Sequence, residues 1–366
     1  MKVVFRADAS LQIGSGHIMR CLALADALKA QGAECHFICR EHPGHLLGLI
    51  RSKGFSAYSL STLVAPDSAD VNADQPVHSH WLGSTQQQDA EASSAILETI
   101  KPDWLIVDHY ALDIRWEALM RAHSSKVLVI DDLADREHFC DLLVDQNLGH
   151  SEQDYAGLVF DSCRLLIGAQ YALLRPEFAR LRTLSLTRRR SPQLVRILIT
   201  MGGVDQQNAS GEVLRALQAC PLPANCTISV IMGLTAPWIA NVVEVAHDMP
   251  WPTEVLQNVA DMGARLVEAD LVIGAAGGSS WERCCLGVPT ILVILADNQI
   301  SGAVALADSG SAVVLGQVSD ISDGLQSAIY SLTNAGELRA MSENASKISD
   351  GLGVQRVIRC MGDKDE

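Results

Sequence analysis

The feature that most restricts what this chain can fold into is a short apolar run that ends in a glycine turn and passes into a helical pattern, present near the start of each half. In the first half, residues 2–7 (Lys-Val-Val-Phe-Arg-Ala) lead through Gly14-Ser15-Gly16 into a helix-like stretch at 17–30. In the second, residues 195–200 lead through Met201-Gly202-Gly203 to a helix predicted at 208–217. Strand, turn and helix in that order open a βαβ unit, whose parallel strands are covered on both faces and need near-continuous apolar sequence. Apolar runs at 35–39, 104–107, 127–130 and 142–144, with helical stretches at 90–100 and 114–122, extend the first unit. Runs at 227–232, 271–273, 290–294 and 312–315 extend the second, and the tail from 337 to 360 reads as helices broken at Gly351 and Gly353. The expectation is an α/β chain with two doubly wound parallel sheets.

A length of 366 residues leaves room for two cores. The expected boundaries are a first domain at 1–180, a linker at 181–193, and a second domain at 194–366 that carries the terminal helices. The linker, Leu-Arg-Thr-Leu-Ser-Leu-Thr-Arg-Arg-Arg-Ser-Pro-Gln, is polar and basic and is closed by Pro192. It reads as a solvated connector rather than a nucleic-acid patch, because the whole chain carries a formal net charge of -15. That charge argues against partners bound through summed Lys and Arg charge, such as nucleic acid or anionic lipid. An anionic ligand must then be held locally, by backbone amides at helix starts and glycine turns. The 10 cysteines include no C-x-x-C pair, so reduced thiols and no structural metal are expected. With no apolar run long enough to span a bilayer and no signal peptide, the expectation is a cytoplasmic protein without membrane insertion, a monomer by default.

Ligands of open parallel sheets bind outside the carboxyl ends of the strands, and two such sheets facing each other share a crevice there. The glycine turns of this chain all follow strands. Gly14-Ser15-Gly16-His17 lacks the third glycine of a dinucleotide fingerprint, and no acidic residue ends the second strand, so no nicotinamide cofactor is expected. His17 falls in the first helical turn, where the macrodipole favours a neutral ring able to accept a proton; a packing or capping histidine is the alternative. The segment Gly274-Ala275-Ala276-Gly277-Gly278-Ser279-Ser280-Trp281-Glu282 reads as a strand end, a glycine turn and a serine-capped helix. Its amides suit phosphate, and Glu282 suits ribose hydroxyls, although a tight turn with an acidic first helical turn explains the same residues without a ligand.

Met201-Gly202-Gly203-Val204-Asp205 repeats this theme, for phosphate or base. Asn298 and Gln299, in Leu295-Ala296-Asp297-Asn298-Gln299, offer carboxamides for sugar hydroxyls or acetamido groups, or begin an Asx-capped helix. Asp108-His109-Tyr110 and Asp131-Asp132 end two strands on the ligand side; the paired aspartates are set down as helix caps rather than metal ligands. The stretch 63–88, with Pro66, Asp67, Asp70, His78 and His80, shows no pattern and reads as a loop.

Taken in order, these segments resemble the pseudaminic acid biosynthesis hydrolases, which act on UDP-2,4-diacetamido-2,4,6-trideoxy-β-L-altropyranose and release UDP. The resemblance rests on Arg6-Ala7-Asp8 with Ile13-Gly14-Ser15-Gly16-His17, Val107-Asp108-His109-Tyr110, Ile130-Asp131-Asp132, Tyr171-Ala172-Leu173-Leu174-Arg175-Pro176-Glu177-Phe178, Met201-Gly202-Gly203, the 275–282 segment and Asp297-Asn298-Gln299. It implies a GT-B fold, two Rossmann-like domains facing a cleft. It implies that His17 is the base that activates water and that attack inverts the anomeric carbon; from the residues themselves no cofactor or metal is expected. It also implies that Asp8, Gly14, Gly16, Tyr110, Asp132, Asn298 and Gln299 lie near the sugar. Gly202, Gly203, Gly277, Gly278, Ser279, Ser280 and Glu282 would bind UDP. Three other functions remain open: a glycosyltransferase on the same fold, a hydrolase of a related UDP-deoxyamino sugar, and a non-catalytic sensor of nucleotide sugars.

Overall fold

A computed structural model describes residues 1–62 and 75–362, and every structural statement here concerns those residues. The first sheet holds β1 (Lys2–Ala7), β2 (Glu34–Arg40), β3 (Ser56–Leu60), β4 (Trp104–Asp108), β5 (Lys126–Ile130), β6 (Leu142–Asp145) and β7 (Arg164–Ile167). Its order is β3-β2-β1-β4-β5-β6-β7, with every pair parallel. The second holds β8 (Arg196–Thr200), β9 (Thr227–Met232), β10 (Thr253–Gln257), β11 (Leu271–Ala275), β12 (Thr290–Val293) and β13 (Val313–Gly316). Its order is β10-β9-β8-β11-β12-β13, again all parallel.

The central strands form where the apolar runs predicted them. Val3, Val4 and Phe5 of β1 are fully buried, and Phe5 stacks on Phe37 of β2 with ring centroids 4.7 Å apart. The edge strands β3 and β10 escaped prediction because Ser56-Ala-Tyr-Ser-Leu and Thr253-Glu-Val-Leu-Gln are mixed in polarity, as suits strands with one open side. In each sheet the strand order reverses once, between β1 and β4 and between β8 and β11. Register pairs Ala7 with Asp108 and Thr200 with Gly274, so the loops leaving these strands start side by side. Such switch points are where open α/β sheets bind ligands.

The chain divides into one unit of Met1–Leu173 plus Gly353–Glu366 and another of Leu174–Leu352. The linker expected at 181–193 is largely helical, being part of the helix Pro176–Arg188. Two of its arginines are turned inward. Arg182 donates to the carbonyls of Cys285, Ser346 and Ser349, and buried Arg189 donates to those of Leu266, Ala269 and Leu286. These carbonyls end the helices Met262–Glu268, Ser279–Cys285 and Ala335–Ile348, where guanidinium donors satisfy orphan acceptors and the negative end of the dipole.

The last helix, Gly353–Gly362, also departs from expectation by joining the first unit. Val354, Val357, Ile358 and Met361, spaced as one helical face, enter the core formed with Ile18, Leu22 and Leu28 of the helix Gly16–Ala30. A Cβ at Gly353 would lie 2.3 Å from the Ala172 carbonyl oxygen, so only glycine permits the approach. Of the stretch 63–88, residues 63–74, which include Pro66, Asp67 and Asp70, lie outside the described residues. The remainder is ordered: a 3-10 turn at Ser79–Leu82 precedes the helix Gln86–Ile100, opened by a capping box of Thr85 and Gln88. Among the described residues no helix is long and apolar enough to cross a membrane.

Val357→Asp buries an unpaired carboxylate in the first unit's core and should destabilise it by about 3 kcal/mol. Hydrogen exchange followed by mass spectrometry should then accelerate in 1–173 while 174–352 keeps its protection; the reverse pattern would assign the helix to the other unit.

Candidate active site

In the first unit the site is built where β1 and β4 end. After β1 the chain turns on Ser10, whose hydroxyl accepts from the Gln12 and Ile13 amides at 3.1 and 2.8 Å while its carbonyl accepts from Gly14 N at 2.9 Å. Gly14 closes this turn at φ +80°, a conformation that favours glycine. Gly16 begins the helix Gly16–Ala30, whose start has no side-chain cap, and neither glycine would bring a Cβ within 4 Å of another group. The next residue is His17. Its Nδ1 lies 2.5 Å from Asp108 Oδ1, at the end of β4.

One helical turn later, Arg20 grips the same carboxylate with two nitrogens, Nε to Oδ2 and Nη2 to Oδ1, both at 2.7 Å. Its third nitrogen, Nη1, donates to Asp132 Oδ2 at 2.5 Å, and Tyr110 OH donates to that same oxygen at 2.7 Å. The Tyr110 ring meets the His17 ring edge-on at 4.6 Å and is covered by Trp81, stacked at 5.7 Å, with His78 beside both. Asp132 Oδ1 is buried with no hydrogen-bond partner among the described residues.

This geometry fixes the histidine tautomer. Burial opposes ionisation of Asp108, but the Arg20 guanidinium and His17 outweigh it and hold the carboxyl well below the usual carboxylate range. An ionised carboxylate only accepts, so Nδ1 is the nitrogen that donates to Asp108, and Nε2 is left to meet another partner. Arg20 faces two carboxylates with one positive charge. A proton arriving on His17 therefore brings the four-residue group from a net charge of -1 to neutrality, counting Arg20, Asp108 and Asp132 as ionised.

Asp8, expected at the sugar, is instead fully buried beneath the site. It accepts from Arg6 Nη1 and from the Arg40 amide, each at 2.7 Å, and faces His109 Nε2 at 3.1 Å. Arg6 and Arg40 also share Asp89, so this cluster ties the ends of β1, β2 and β4 together. His109 accepts from the Ala111 amide at Nδ1, and burial pushes its basicity below the ordinary value. Asp131 is likewise structural, accepting from Arg136, Tyr155 and the Ala134 amide. No cluster of three metal-ligating side chains occurs among the described residues.

In the second unit the corresponding loops leave β8 and β11. Gly202 sits at φ +85°, and the Gly203 carbonyl oxygen lies where a Cβ on Gly233 would be, 1.9 Å away. Asp205, set beside them in the sequence reading, caps the helix Ala209–Leu217 through the Ala209 and Ser210 amides. After β11 the serine cap expected for the helix Ser279–Cys285 is absent; Gly278 occupies the N-cap. Both hydroxyls are taken by buried Arg283, at 3.0 Å for Ser279 and 2.8 Å for Ser280, and Arg283 also donates to the Ala275 carbonyl. The Ser280 amide donates to the Gly277 carbonyl at 2.8 Å and the Trp281 amide to the Gly278 carbonyl at 3.2 Å, whereas the amides of Gly277, Gly278 and Ser279 have no backbone acceptor among the described residues.

The backbone there is accessible: a Cβ at Gly278 meets nothing within 4 Å, and one at Gly277 meets only Gln299 Nε2, at 3.6 Å. Gln299 spends its oxygen on the Leu295 amide, and Asn298 is exposed on the 3-10 turn Asp297–Gln299. Glu282 is half-buried, and burial pushes its carboxyl up to about 7 against the opposing pull of Arg175 and Arg283.

Sequence reasoning missed Arg20 and the orienting role of Asp108. The available signal was spacing: residues i and i+3 of a helix share a face, so Arg20 stands beside His17 wherever that histidine points.

Residues 240–356 match the glycosyltransferase family 28 C-terminal domain. The UDP-2,4-diacetamido-2,4,6-trideoxy-β-L-altropyranose hydrolase of Campylobacter jejuni is 30% identical over 241 residues, 65% of this chain and 71% of that protein. The spore coat polysaccharide biosynthesis protein SpsG of Bacillus subtilis is 26% identical over 204 residues, 55% of this chain and 58% of that protein. Among solved structures, MurG of Acinetobacter baumannii aligns with a TM-score of 0.71 at 18% identity, covering 98% of this chain and 99% of that one. A UDP-GlcNAc 2-epimerase of Neisseria meningitidis aligns at 0.61 with 13% identity over 99% of each chain. These likenesses show the GT-B fold.

The depressed Asp108 carboxyl contributes stability that is present above the unfolded value near 3.9 and is lost as pH falls through the lower folded value. Asp108→Asn should therefore melt a few degrees lower at pH 7 and lose less stability than the parent between about pH 5 and 3. Thermal unfolding across that range checks this, and parallel curves for the two proteins would contradict it.

Proposed function

We propose that this chain, which belongs to the pseudaminic acid biosynthesis hydrolase family, uses water to break the anomeric bond of UDP-2,4-diacetamido-2,4,6-trideoxy-β-L-altropyranose and releases UDP. Membership rests on the 30% identity to the Campylobacter jejuni hydrolase, across 71% of that protein. The observation that carries the chemistry is the His17–Asp108 contact at a strand switch point, which engages Nδ1 and leaves Nε2 as the ring nitrogen that meets water.

In this reading Nε2 takes a proton from water as the water oxygen bonds to the anomeric carbon. The carbon–oxygen bond to the diphosphate breaks on the opposite face, its electron pair leaves with UDP, and the anomeric centre inverts. Asp108 stabilises the imidazolium that forms, and the net negative Arg20–Asp108–Asp132 group favours positive charge growing on the sugar ring. The unpartnered Asp132 Oδ1 accepts from an acetamido N–H or a hydroxyl of the sugar, supported beneath by Tyr110. In the second unit, Gly202, Gly203, Gly277 and Gly278 admit the diphosphate to backbone amides that include that of Ser279, while Glu282 accepts from the ribose. Ser280 acts indirectly, holding Arg283 under the turn. Asn298 and Gln299 read the sugar. UDP is a stable leaving group, so the reaction needs no general acid of the kind ordinary glycosides require. The proposed enzyme is cytoplasmic and monomeric, without metal or cofactor.

A second reading is supported by the family 28 match at 240–356: transfer of the sugar to an acceptor hydroxyl, with His17 deprotonating that hydroxyl instead of water. Proton NMR of the protein with a panel of UDP-linked diacetamido and monoacetamido sugars tests both. Hydrolysis predicts UDP and free sugar without any acceptor, in the inverted anomer first, with one oxygen from labelled water. UDP release that requires an added acceptor would replace hydrolysis with transfer.

His17→Ala should lower kcat by about 10²–10⁴-fold while leaving UDP affinity within a few-fold of the parent. An unchanged kcat removes His17 from the mechanism. With the Glu282 carboxyl pushed up to about 7, UDP should bind more tightly as pH rises through neutrality and the carboxylate forms. Calorimetric titration between pH 6 and 8 should show this rise in the parent and a flat profile in Glu282→Gln.

A further inference from the structure

The run Arg188-Arg189-Arg190 takes no part in the reaction above, yet its first two members are packed around a cavity of about 250 Å³ within the second unit. Arg188, Arg189 and Arg196 line it together with Asp270, Ser191 and Gln193, over a floor that includes Leu338. The charge balance there is one-sided. Asp270, the cavity's carboxylate, is already committed: Oδ1 accepts from Arg188 at 2.5 Å, and Oδ2 accepts from the amides of Val195 and Arg196 at 3.0 and 2.9 Å. Arg189 is buried against three carbonyl oxygens and pairs with no carboxylate among the described residues. The exposed Arg196 guanidinium has no hydrogen bond or ion pair among them. With Asp270 balanced by Arg188, the positive charges of Arg189 and Arg196 remain without a carboxylate among the described residues that line the cavity, in a chain whose formal net charge is -15.

We propose that this cavity is a second anion site that takes a phosphate group, as free phosphate or as a small phosphomonoester. It is separate from the proposed diphosphate site. Arg196 begins β8, Asp270 immediately precedes β11 and Pro289 immediately precedes β12, so the cavity lies at the amino ends of the strands. The glycine turns lie at their carboxyl ends, on the order of 15 Å away for strands of this length. Arginine suits the task because its planar donors match phosphate oxygens in pairs, and Ser191 and Gln193 add neutral donors at the rim. Burial and the like charge of Arg188 push the Arg189 guanidinium down to about 9, a penalty that a bound anion relieves.

Calorimetric titration of the full chain with inorganic phosphate, and in a second arm with a sugar phosphate, tests the site in chloride buffer with excess UDP present. Saturable binding is expected in at least one arm, weakened about tenfold by Arg196→Ala, removed by Arg196→Glu, and reduced by added salt. Because the Arg196 side chain is exposed and unpaired, both variants should keep the parent's melting temperature. Tighter binding of the sugar phosphate identifies a monoester as the ligand, and equal binding identifies the phosphate group alone. Absence of saturable binding in both arms, or binding indifferent to both Arg196 substitutions, overturns the proposal.

Discussion

The first unit depends on how one guanidinium is shared. Arg20 holds both oxygens of Asp108 and one of Asp132, and so fixes the carboxylate that in turn fixes His17. Taking these charges out of water is costly, and the arrangement offsets that cost because each nitrogen of the Arg20 guanidinium donates to a carboxylate oxygen and both oxygens of Asp108 accept. A lysine could supply the charge but not the fork, which is why the identity of the cation matters as much as its sign. The exception is Asp132 Oδ1, a buried oxygen without a donor. An unmet acceptor in an otherwise satisfied network is where a ligand gains most from supplying an N–H or O–H.

Beneath this group lies a second buried ionic cluster, Arg6, Asp8, Asp89 and Arg40, joined by Trp116 Nε1 on Asp89. It meets the candidate site through His109, whose Nε2 lies 3.1 Å from Asp8 Oδ2. Its effect is to hold the ends of β1 and β2 and the helix Gln86–Ile100 in fixed relation, so that the turn bearing His17 starts from a rigid edge. The same division of labour appears in the second unit, where Arg283 ties the Ser279 and Ser280 hydroxyls to the end of β11. Side chains that a linear motif offers as ligand contacts also brace the backbone here.

The central strands and the glycine turns were legible because each follows from a local rule: apolar runs for buried parallel strands, and glycine where φ is positive or a backbone must come close. What stayed hidden depends on partners distant in sequence. Asp8 looks like any strand-end carboxylate until Arg6, Arg40 and His109 close around it. The arginines of 182–189 look solvated because a sequence does not display the helix C-termini they cap. Arg20 is the one such partner with a local signal, three residues after His17 on the same helix face.

The return of the helix Gly353–Gly362 to the first unit has a consequence for how the protein is made. Val354, Val357, Ile358 and Met361 complete a core whose other members lie within the first 173 residues. During synthesis the earlier unit therefore waits, its helix Gly16–Ala30 left with an uncovered apolar face, until the whole of Leu174–Leu352 has left the ribosome. The later unit, contiguous in sequence, can finish folding first. All the residues of the later unit's core are thus synthesised before the earlier unit's core is complete, and apolar surface left open in that interval is prone to aggregation.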